Sequence, residues 1–422
     1  MYGGGILGFL FLSSGAPVFV AFGIAAILIG VFSLQIPWGT FGVKGVGMVM
    51  NSTLLAIPLF VFAGNIALEC KAARYLIDFF DSLVRQIRGG SALVLILSCG
   101  FFGAITGSIL AAIVAIGGLM IPIMEEQGYP RNISAALTVA SSTLAMLIPP
   151  SNVFIIYGFL AEVSVTAMFL AGILPGLLLI VILSVVAQFF SGTSVKERQK
   201  ATKQEKWSAF KKALPFAIMP IVVLGGIYSG AFTPTEAAGI AVWYTIFIGA
   251  FVYRTLGWKD IYKSAVSTVS AMGMIFMIAI AAGILTMVFT QMQIPQILTQ
   301  AISGYLSEYI FLLMCTLVMF FLGMFLDGFI VMFVVIPVLL PTVRQLGIDP
   351  IHFGIVLCSA ASIGLATPPV CIGLYTAASI SNTSSQSMIK PLIPFVGCLV
   401  ILCVFVIFLP GLSTYLPSLF QF

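Results

Sequence analysis

Charge is what this sequence has least of. Only 7% of its 422 residues are Asp, Glu, Lys or Arg, and it carries one histidine and four tryptophans. A soluble domain has about 25% charged residues, so an ordinary water-facing surface cannot be built from this composition. Although the formal net charge is +5, so few ionisable groups leave no patch for nucleic acid, and the basic excess reads as membrane topology. The seven cysteines, Cys70, Cys99, Cys315, Cys358, Cys371, Cys398 and Cys403, include no C-x-x-C and mostly lie in apolar runs. They read as membrane packing residues and not as a disulfide framework. Neither H-E-x-x-H, a Ser/His pair nor paired carboxylates occur at membrane depth, so nothing marks an enzyme. The absence of G-x-x-x-x-G-K-[ST] excludes an ATP motor in the chain itself.

What the chain has instead is hydrophobicity: 61% of residues, with a mean hydropathy of +1.19. At roughly 20 apolar residues per crossing, the length accommodates ten or so bilayer-embedded segments. The runs are continuously apolar and not alternating, which excludes a transmembrane barrel and predicts an all-α polytopic membrane protein. The apolar stretch from Ile6 to Leu34 has no basic n-region or A-x-A-like site and is expected to be kept as the first helix. Crossings are expected at about 6–33, 53–69, 133–159, 166–190, 213–231, 237–256, 266–290, 352–380 and 391–416.

The basic residues orient these crossings. Placing the regions around Lys71 to Arg131, Lys196 to Lys212, Arg254 to Lys263 and Lys390 in the cytoplasm puts 16 of the 18 Lys and Arg inside, leaving Lys44 and Arg344 outside. The N-terminus and the central basic loop are then cytoplasmic and the C-terminus periplasmic, with Glu162 and Glu236 at the outer surface. Between Lys71 and Arg88, the stripe Tyr75, Leu76, Phe79, Phe80, Leu83 and Val84 lies opposite charges, as expected of a helix in the cytoplasmic interface.

Two stretches have the wrong length for a crossing. Thirty-six uncharged residues separate Arg88 from Glu125, and 35 residues with only Asp327 separate Glu308 from Arg344. Each would make a helix ~50 Å long against a hydrocarbon core of about 30 Å. Their midpoints hold Gly103-Ala-Ile-Thr106-Gly107-Ser108 and Gly323-Met-Phe-Leu-Asp327-Gly328. Both read as re-entrant hairpins, at about 89–124 and 309–343; paired full spans are the alternative. Each is followed by an apolar segment, 133–159 and 352–380, with Pro-Pro near its middle: Pro149-Pro150 and Pro368-Pro369. Doubled proline breaks a helix and frees carbonyls four residues earlier, such as those of Ala145 and Met146.

These features recur. Pro122 and Pro341, Gly128 and Gly347, Pro149 and Pro368, Pro150 and Pro369, and Pro175 and Pro394 are each 219 residues apart, and Ser108 falls opposite Asp327. An odd number of crossings separates the broken helices if neither hairpin spans. The expected fold is therefore two inverted-topology repeats, 1–190 and 213–422, joined by the basic cytoplasmic loop 191–212. The first hairpin opens to the cytoplasm and the second outside. That is the plan of a secondary transporter. Unwound carbonyls and tip hydroxyls offer oxygen ligands suited to Na⁺, and half-helix N-termini favour an anion. No Lys or Arg lies deep in a bilayer segment, so a bound carboxylate would be neutralised by dipoles and co-bound cations. Asp327, the only carboxylate at bilayer depth, reads as a cation ligand or substrate-site residue; a carboxyl capping a helix end in a wet cavity is the alternative. Thr106, Ser108, Ser141, Ser142, Thr143 and Ser151 also fit helix packing, and the lone His352 reads as structural. An ion channel with Gly-rich filter loops is a competing reading that would not need paired inverted broken helices.

The stretch Gly103-Ala-Ile-Thr-Gly-Ser-Ile-Leu-Ala-Ala-Ile-Val-Ala-Ile-Gly-Gly-Leu-Met-Ile-Pro122, with Gly128-Tyr-Pro, Leu147-Ile-Pro-Pro-Ser151 and Ile156-Tyr-Gly158, resembles the large membrane subunit of TRAP transporters, the DctM-type permease. Leu54-Leu-Ala-Ile-Pro58 to Gly64, Thr233-Pro-Thr-Glu236, Gly323-Met-Phe-Leu-Asp327 and Thr367-Pro-Pro369 extend the resemblance over essentially the whole chain. It implies a tripartite system in the bacterial inner membrane: a periplasmic binding protein delivers a small organic anion, a small membrane subunit braces this one, and Na⁺ drives uptake. No cofactor besides the coupling ion is implied. An elevator-type movement of a domain holding both hairpins is implied too. By position, Gly103, Thr106, Gly107, Ser108, Pro149, Pro150 and Ser151 match one sodium-site region, and Gly323, Asp327, Gly328, Thr367 and Pro368 its partner. Ser142, Thr143, Asn152 and Asp327 are the residues expected at the substrate. An ion-coupled anion transporter working without a binding protein shares this architecture.

Overall fold

In hydrocarbon only a helix satisfies its own backbone within one segment, and every regular element among the described residues is helical. The computed structural model describes residues 15–190, 199–303, 307–326, 328–368 and 371–420. Among them eight helices are long and apolar enough to cross a bilayer, or up to nine if the bent pair Arg131–Leu147 and Asn152–Ala161 is one span. Helices Val18–Leu34, Ala56–Glu69, Val165–Phe189, Lys203–Tyr228, Pro234–Phe247, Trp258–Gln291 and Ser385–Phe408 lie where crossings are expected. The start of the first expected crossing, before residue 15, lies outside the described residues.

Four elements differ from the sequence reading, the first being the short helix Ile294–Ser303 between the expected 266–290 crossing and the second hairpin. Helix Trp38–Val49 occupies a stretch expected to be a connection. Its four glycines are poor helix formers, and the helix exists by packing: a Cβ on Gly45 would lie 2.9 Å from Ile280. The central loop is only partly a loop, because Lys203–Tyr228 begins ten residues before the expected 213. Thr202 and Glu205 form a reciprocal capping box there, so the polar residues 203–212 are the first turns of a crossing. The expected 391–416 crossing ends at Phe408, and Gly411–Leu419 is a separate helix after Pro410.

Two neighbourhoods of helices share one continuous buried core, joined by contacts such as that of Trp258–Gln291 with Gly328–Gln345. In one, Ala56–Glu69 lies against Pro234–Phe247 and Trp258–Gln291, and the latter also packs on Val18–Leu34 and Trp38–Val49. Asn65 Nδ2 donates to Thr268 Oγ1 at 2.9 Å and Lys263 pairs with Glu69 at 2.8 Å, tying that group together across long sequence separations. The amphipathic helix Ala72–Val84 packs on Lys203–Tyr228 and Gly90–Thr106. Its Tyr75 stacks on Tyr253, which stacks on Phe216.

The other group holds the two unusual stretches. The first is a pair of arms, Gly90–Thr106 and Ile109–Glu126, folded back on each other. Their far ends meet where Ser91 Oγ donates to Gln127 Oε1, and Arg131 pairs with Glu125 at 3.3 Å beside them. The second pair is Glu308–Gly323 and Gly328–Gln345. Both second arms end the same way: Tyr129 N–H donates to Met124 O at 3.0 Å, and Ile348 N–H to Val343 O at 3.1 Å. Gly128 (φ 97°) and Gly347 (φ 72°) supply the left-handed residue in each closure.

Contacts at the far ends fix relative direction. The Arg131 end of the first broken helix lies by Ser387, whose carbonyl accepts from Asn132 Nδ2 at 3.3 Å. At its other end, the Arg344 guanidinium donates to Ala161 O at 3.2 Å and the Tyr157 hydroxyl to Pro350 O. The first broken helix and Pro350–Ser381 therefore run side by side in opposite directions. The base of the first hairpin lies at one end of Arg131–Ala161 and that of the second at the other.

Candidate ion and substrate site

The site starts from the two proline breaks. Leu144–Leu147 ends in extended backbone at Ile148, and the chain re-enters a helix at Asn152 with a 43° bend. Proline at 150 leaves Met146 O without its helical donor. The Ser151 hydroxyl fills that place, donating to Met146 O at 2.8 Å. In the second half Leu365 occupies the equivalent position, and the Cys371 thiol donates to its carbonyl at 2.6 Å. Ser151 and Cys371 each precede the next half-helix, yet they are 220 residues apart where the prolines are 219 apart. The two breaks thus match in spacing at their prolines but are one residue out of step at the capping side chains.

The first hairpin tip seats against the first break. Gly107 adopts φ 59°, ending the first arm through its N–H to Gly103 O at 2.7 Å. Ser108 then caps the second arm, its Oγ accepting from Ala111 N–H at 3.3 Å. Asn152 Nδ2 donates to Gly107 O at 3.3 Å, joining tip to break. Asn152 Oδ1 is buried and unpartnered among the described residues. Gly103 permits the approach: a Cβ there would lie 2.7 Å from Ala145 Cα. The tip stands beside residues 146–152, and ten more residues, Asn152–Ala161, run on past it for about 15 Å.

The second tip meets its own break in the same manner. Gly323 packs on Gly364, where a Cβ on the latter would come within 2.8 Å of Gly323 Cα. Phe311 stacks on Phe353 nearer the base. Gly328 faces Leu365 and, across the halves, Met146 of the first break. Asp327 and Pro369 lie outside the described residues.

A cavity of about 90 Å³ lies where these parts converge. The first tip contributes Gly107 and Ser108 with Ile109 and Leu110; the first break contributes Met146 and Val153. Gly328 and Phe329 come from the second hairpin, and Leu365, Ile372 and Gly373 from the second break. Half-helices 152–161 and 372–381 both begin at this level, so their positive dipole ends lie beside it.

The structure thus brings Gly107, Ser108 and Gly328 onto the cavity and sets Gly103, Ser151 and Asn152 directly behind it. Pro149 and Pro150 make the break. Thr106 is buried with its hydroxyl on Phe102 O at 3.2 Å, and Thr367 bonds Ile363 O at 2.6 Å while preceding Pro368. Ser142 and Thr143 are not on the lining: their hydroxyls turn back to Thr138 O at 2.8 Å and Ala140 O at 2.6 Å. His352, read as structural, is buried with Nδ1 2.7 Å from Ser413 Oγ. All seven cysteines are free and buried. The residues sequence reasoning missed are the apolar lining side chains, among them Val153, Phe329 and Ile372, and the cap Cys371; of Met146 it named only the carbonyl. Apolar side chains in an apolar chain carry no signal of their own, whereas Cys371 was within reach of the repeat spacing from Ser151.

With the arrangement in place, the comparisons are specific. The family model "Tripartite ATP-independent periplasmic transporter, DctM component" matches residues 6–412. The chain belongs to this family. Among curated relatives, the C4-dicarboxylate TRAP transporter large permease protein DctM of Pseudomonas aeruginosa is 34% identical over 368 residues, covering 87% of this chain and 86% of that one. The isethionate TRAP transporter permease protein DctMQ of Oleidesulfovibrio alaskensis is 33% identical; 98% of this chain matches 64% of it. The ectoine TRAP transporter large permease protein TeaC of Halomonas elongata is 32% identical over 95% of this chain and 99% of its own. The fold resembles the crystal structure of the Alcanivorax borkumensis YdaH transporter, with a TM-score of 0.66 at 15% identity over 92% and 91% of the two chains. As a DctM-family protein, this chain is a multi-pass membrane permease component of a tripartite transporter.

Proposed function

We propose that this DctM-family permease imports a small organic anion coupled to Na⁺, by elevator-type alternating access. The observation that carries the reading is the meeting of two hairpin tips and two helix breaks at one cavity, from elements that approach from opposite ends of antiparallel broken helices. Two inverted repeats, 1–190 and 213–422, account for that arrangement. Exchanging their conformations would exchange access to the two sides. The first hairpin is re-entrant in this reading, because the broken helix continues about 15 Å beyond its tip, and the proposed repeat extends the same reading to the second.

The chemistry follows from the donor set. Tip and break carbonyls, Ser108, Asn152 Oδ1 and the Asp327 carboxylate are hard oxygen ligands of the kind Na⁺ takes. We assign one sodium region to Gly103, Thr106, Gly107, Ser108, Pro149, Pro150 and Ser151, and its partner to Gly323, Asp327, Gly328, Thr367 and Pro368. The anion lies between them near Asn152, facing the dipole ends of the half-helices. No guanidinium or ammonium at bilayer depth is available to balance it, so bound Na⁺ supplies the countercharge and substrate is thereby coupled to ion. Two Na⁺ carried with one monoanion move one net charge, worth about 2.3 kcal/mol per 100 mV.

The protein works in the inner membrane with a small membrane subunit and a periplasmic binding protein, the N-terminus and central basic loop cytoplasmic and the C-terminus periplasmic. The name DctMQ of one relative, together with its greater length, agrees with a second membrane component. The test is uptake by proteoliposomes holding both membrane subunits, with the cognate binding protein and an inward Na⁺ gradient. Omitting either Na⁺ or the binding protein is expected to reduce uptake to background. Uptake that survives both omissions overturns the proposal.

A further inference from the structure

The proposed transport does not use the basic, aromatic end of helix Lys203–Tyr228. Nine of its first ten residues, Lys-Gln-Glu-Lys-Trp-Ser-Ala-Phe-Lys-Lys, are polar or aromatic, Ala209 being the exception, and from Ala213 the helix is apolar. Trp207 lies six residues before that boundary, about 9 Å along the axis. The headgroup layer adds roughly 5–8 Å to each side of the hydrocarbon core. Residues 208–212 therefore lie within the headgroup layer and Trp207 stands at its outer edge.

Their side chains are held by a rigid platform. Trp207 stacks on Phe210 with ring centroids 5.7 Å apart, and Phe210 packs on Phe79 of the amphipathic helix at 5.8 Å. Lys211 Nζ lies 5.2 Å from the Trp207 ring centroid. Trp207 nevertheless remains 57% exposed. Arg74 and Lys212 flank Asp78, which offsets one of their charges, and Asp81 stands on the same helix. Glu205 is taken by Arg85 at 2.8 Å. Among the described residues no carboxylate pairs with Lys206 or Lys211. An exposed indole edge beside uncompensated ammonium groups, at the edge of the headgroup layer, complements a phosphodiester with acyl chains below it.

We propose that Trp207, with Lys206 beside it in the chain and Lys211 over its ring, binds the phosphate headgroup of an anionic phospholipid, fixing this end of the helix group to the membrane surface. The site does not depend on the transport reading. The test is native mass spectrometry of the delipidated full-length protein titrated with phosphatidylglycerol or phosphatidylcholine of matched acyl chains. Phosphatidylglycerol is expected to bind more tightly, and Lys206→Gln with Lys211→Gln to weaken it about fivefold per charge removed. Phosphatidylcholine binding should not change, and Lys259→Gln should affect neither lipid. In a variant with Trp38, Trp243 and Trp258 replaced by Phe, the remaining Trp207 fluorescence should be quenched more by brominated phosphatidylglycerol than by brominated phosphatidylcholine. Unchanged phosphatidylglycerol binding in the double variant overturns the proposal, as does an equal loss of both lipids. Displacement of the lipid by millimolar inorganic phosphate would show a general anion site and overturn it too.

Discussion

Gly107→Ala is expected to cut uptake at least tenfold while the protein still inserts in the membrane. Two independent constraints meet at this residue. Its φ of 59° lies in the left-handed region, which costs a residue with a Cβ about 1–2 kcal/mol. A Cβ would also lie 2.9 Å from Asn152 Nδ2, the group that donates to Gly107 O. Alanine must therefore either push the tip away from the break or break the hydrogen bond between them, and both disturb the proposed first sodium region. The hairpin arms are long and packed along their length, so the damage should stay local. Gly118→Ala is the matched control: nothing stands within 4 Å of a Cβ there, and uptake should be unchanged. Parallel measurement of uptake rate and membrane abundance checks both. Wild-type uptake in Gly107→Ala would separate tip geometry from transport.

The second large effect is expected at Asp327. A carboxylate at bilayer depth costs about 2.5 to 3.5 kcal/mol when unpaired. If Asp327 only caps a helix end, Asp327→Asn relieves that cost and transport should persist. If it binds Na⁺ or helps hold substrate, as proposed, the amide loses a full charge at the ion and uptake should fall at least tenfold, with a shallower dependence on Na⁺ concentration. Thermal stability in detergent should not fall, because the isosteric amide removes a charge without removing volume. Retained uptake with wild-type sodium dependence would return Asp327 to a structural role.

Much of the arrangement was legible because it is written in residues with few uses. Doubled prolines mark the breaks whatever surrounds them, and Gly128 and Gly347 mark left-handed closures that recur with the same hydrogen bonds. The paucity of charge itself located the two overlong stretches. The resemblance carried the family, which the comparisons establish. What stayed hidden had no distinctive chemistry. Trp38–Val49 is a glycine-rich helix stabilised by its neighbours and not by propensity. Val153, Phe329 and Ile372 line the cavity, yet as single residues they are indistinguishable from lipid-facing ones. Ser142 and Thr143 show the converse, since a hydroxyl near a break attracts a functional reading although its own helix already provides an acceptor. The capping box at Thr202 and Glu205 was in the sequence, but the charge run around it read as a loop.

Alternating exposure of the tip tests the central claim most directly. With Ser108→Cys in a background lacking the seven native cysteines, a membrane-impermeant maleimide can be applied from either side of oriented vesicles. The transporter account predicts that labelling from one side rises as labelling from the other falls when Na⁺ and substrate are added or removed. Labelling from both sides at once in a single state would indicate a continuous pore. Labelling from one side only, unaffected by Na⁺ and substrate, would contradict alternating access at this site.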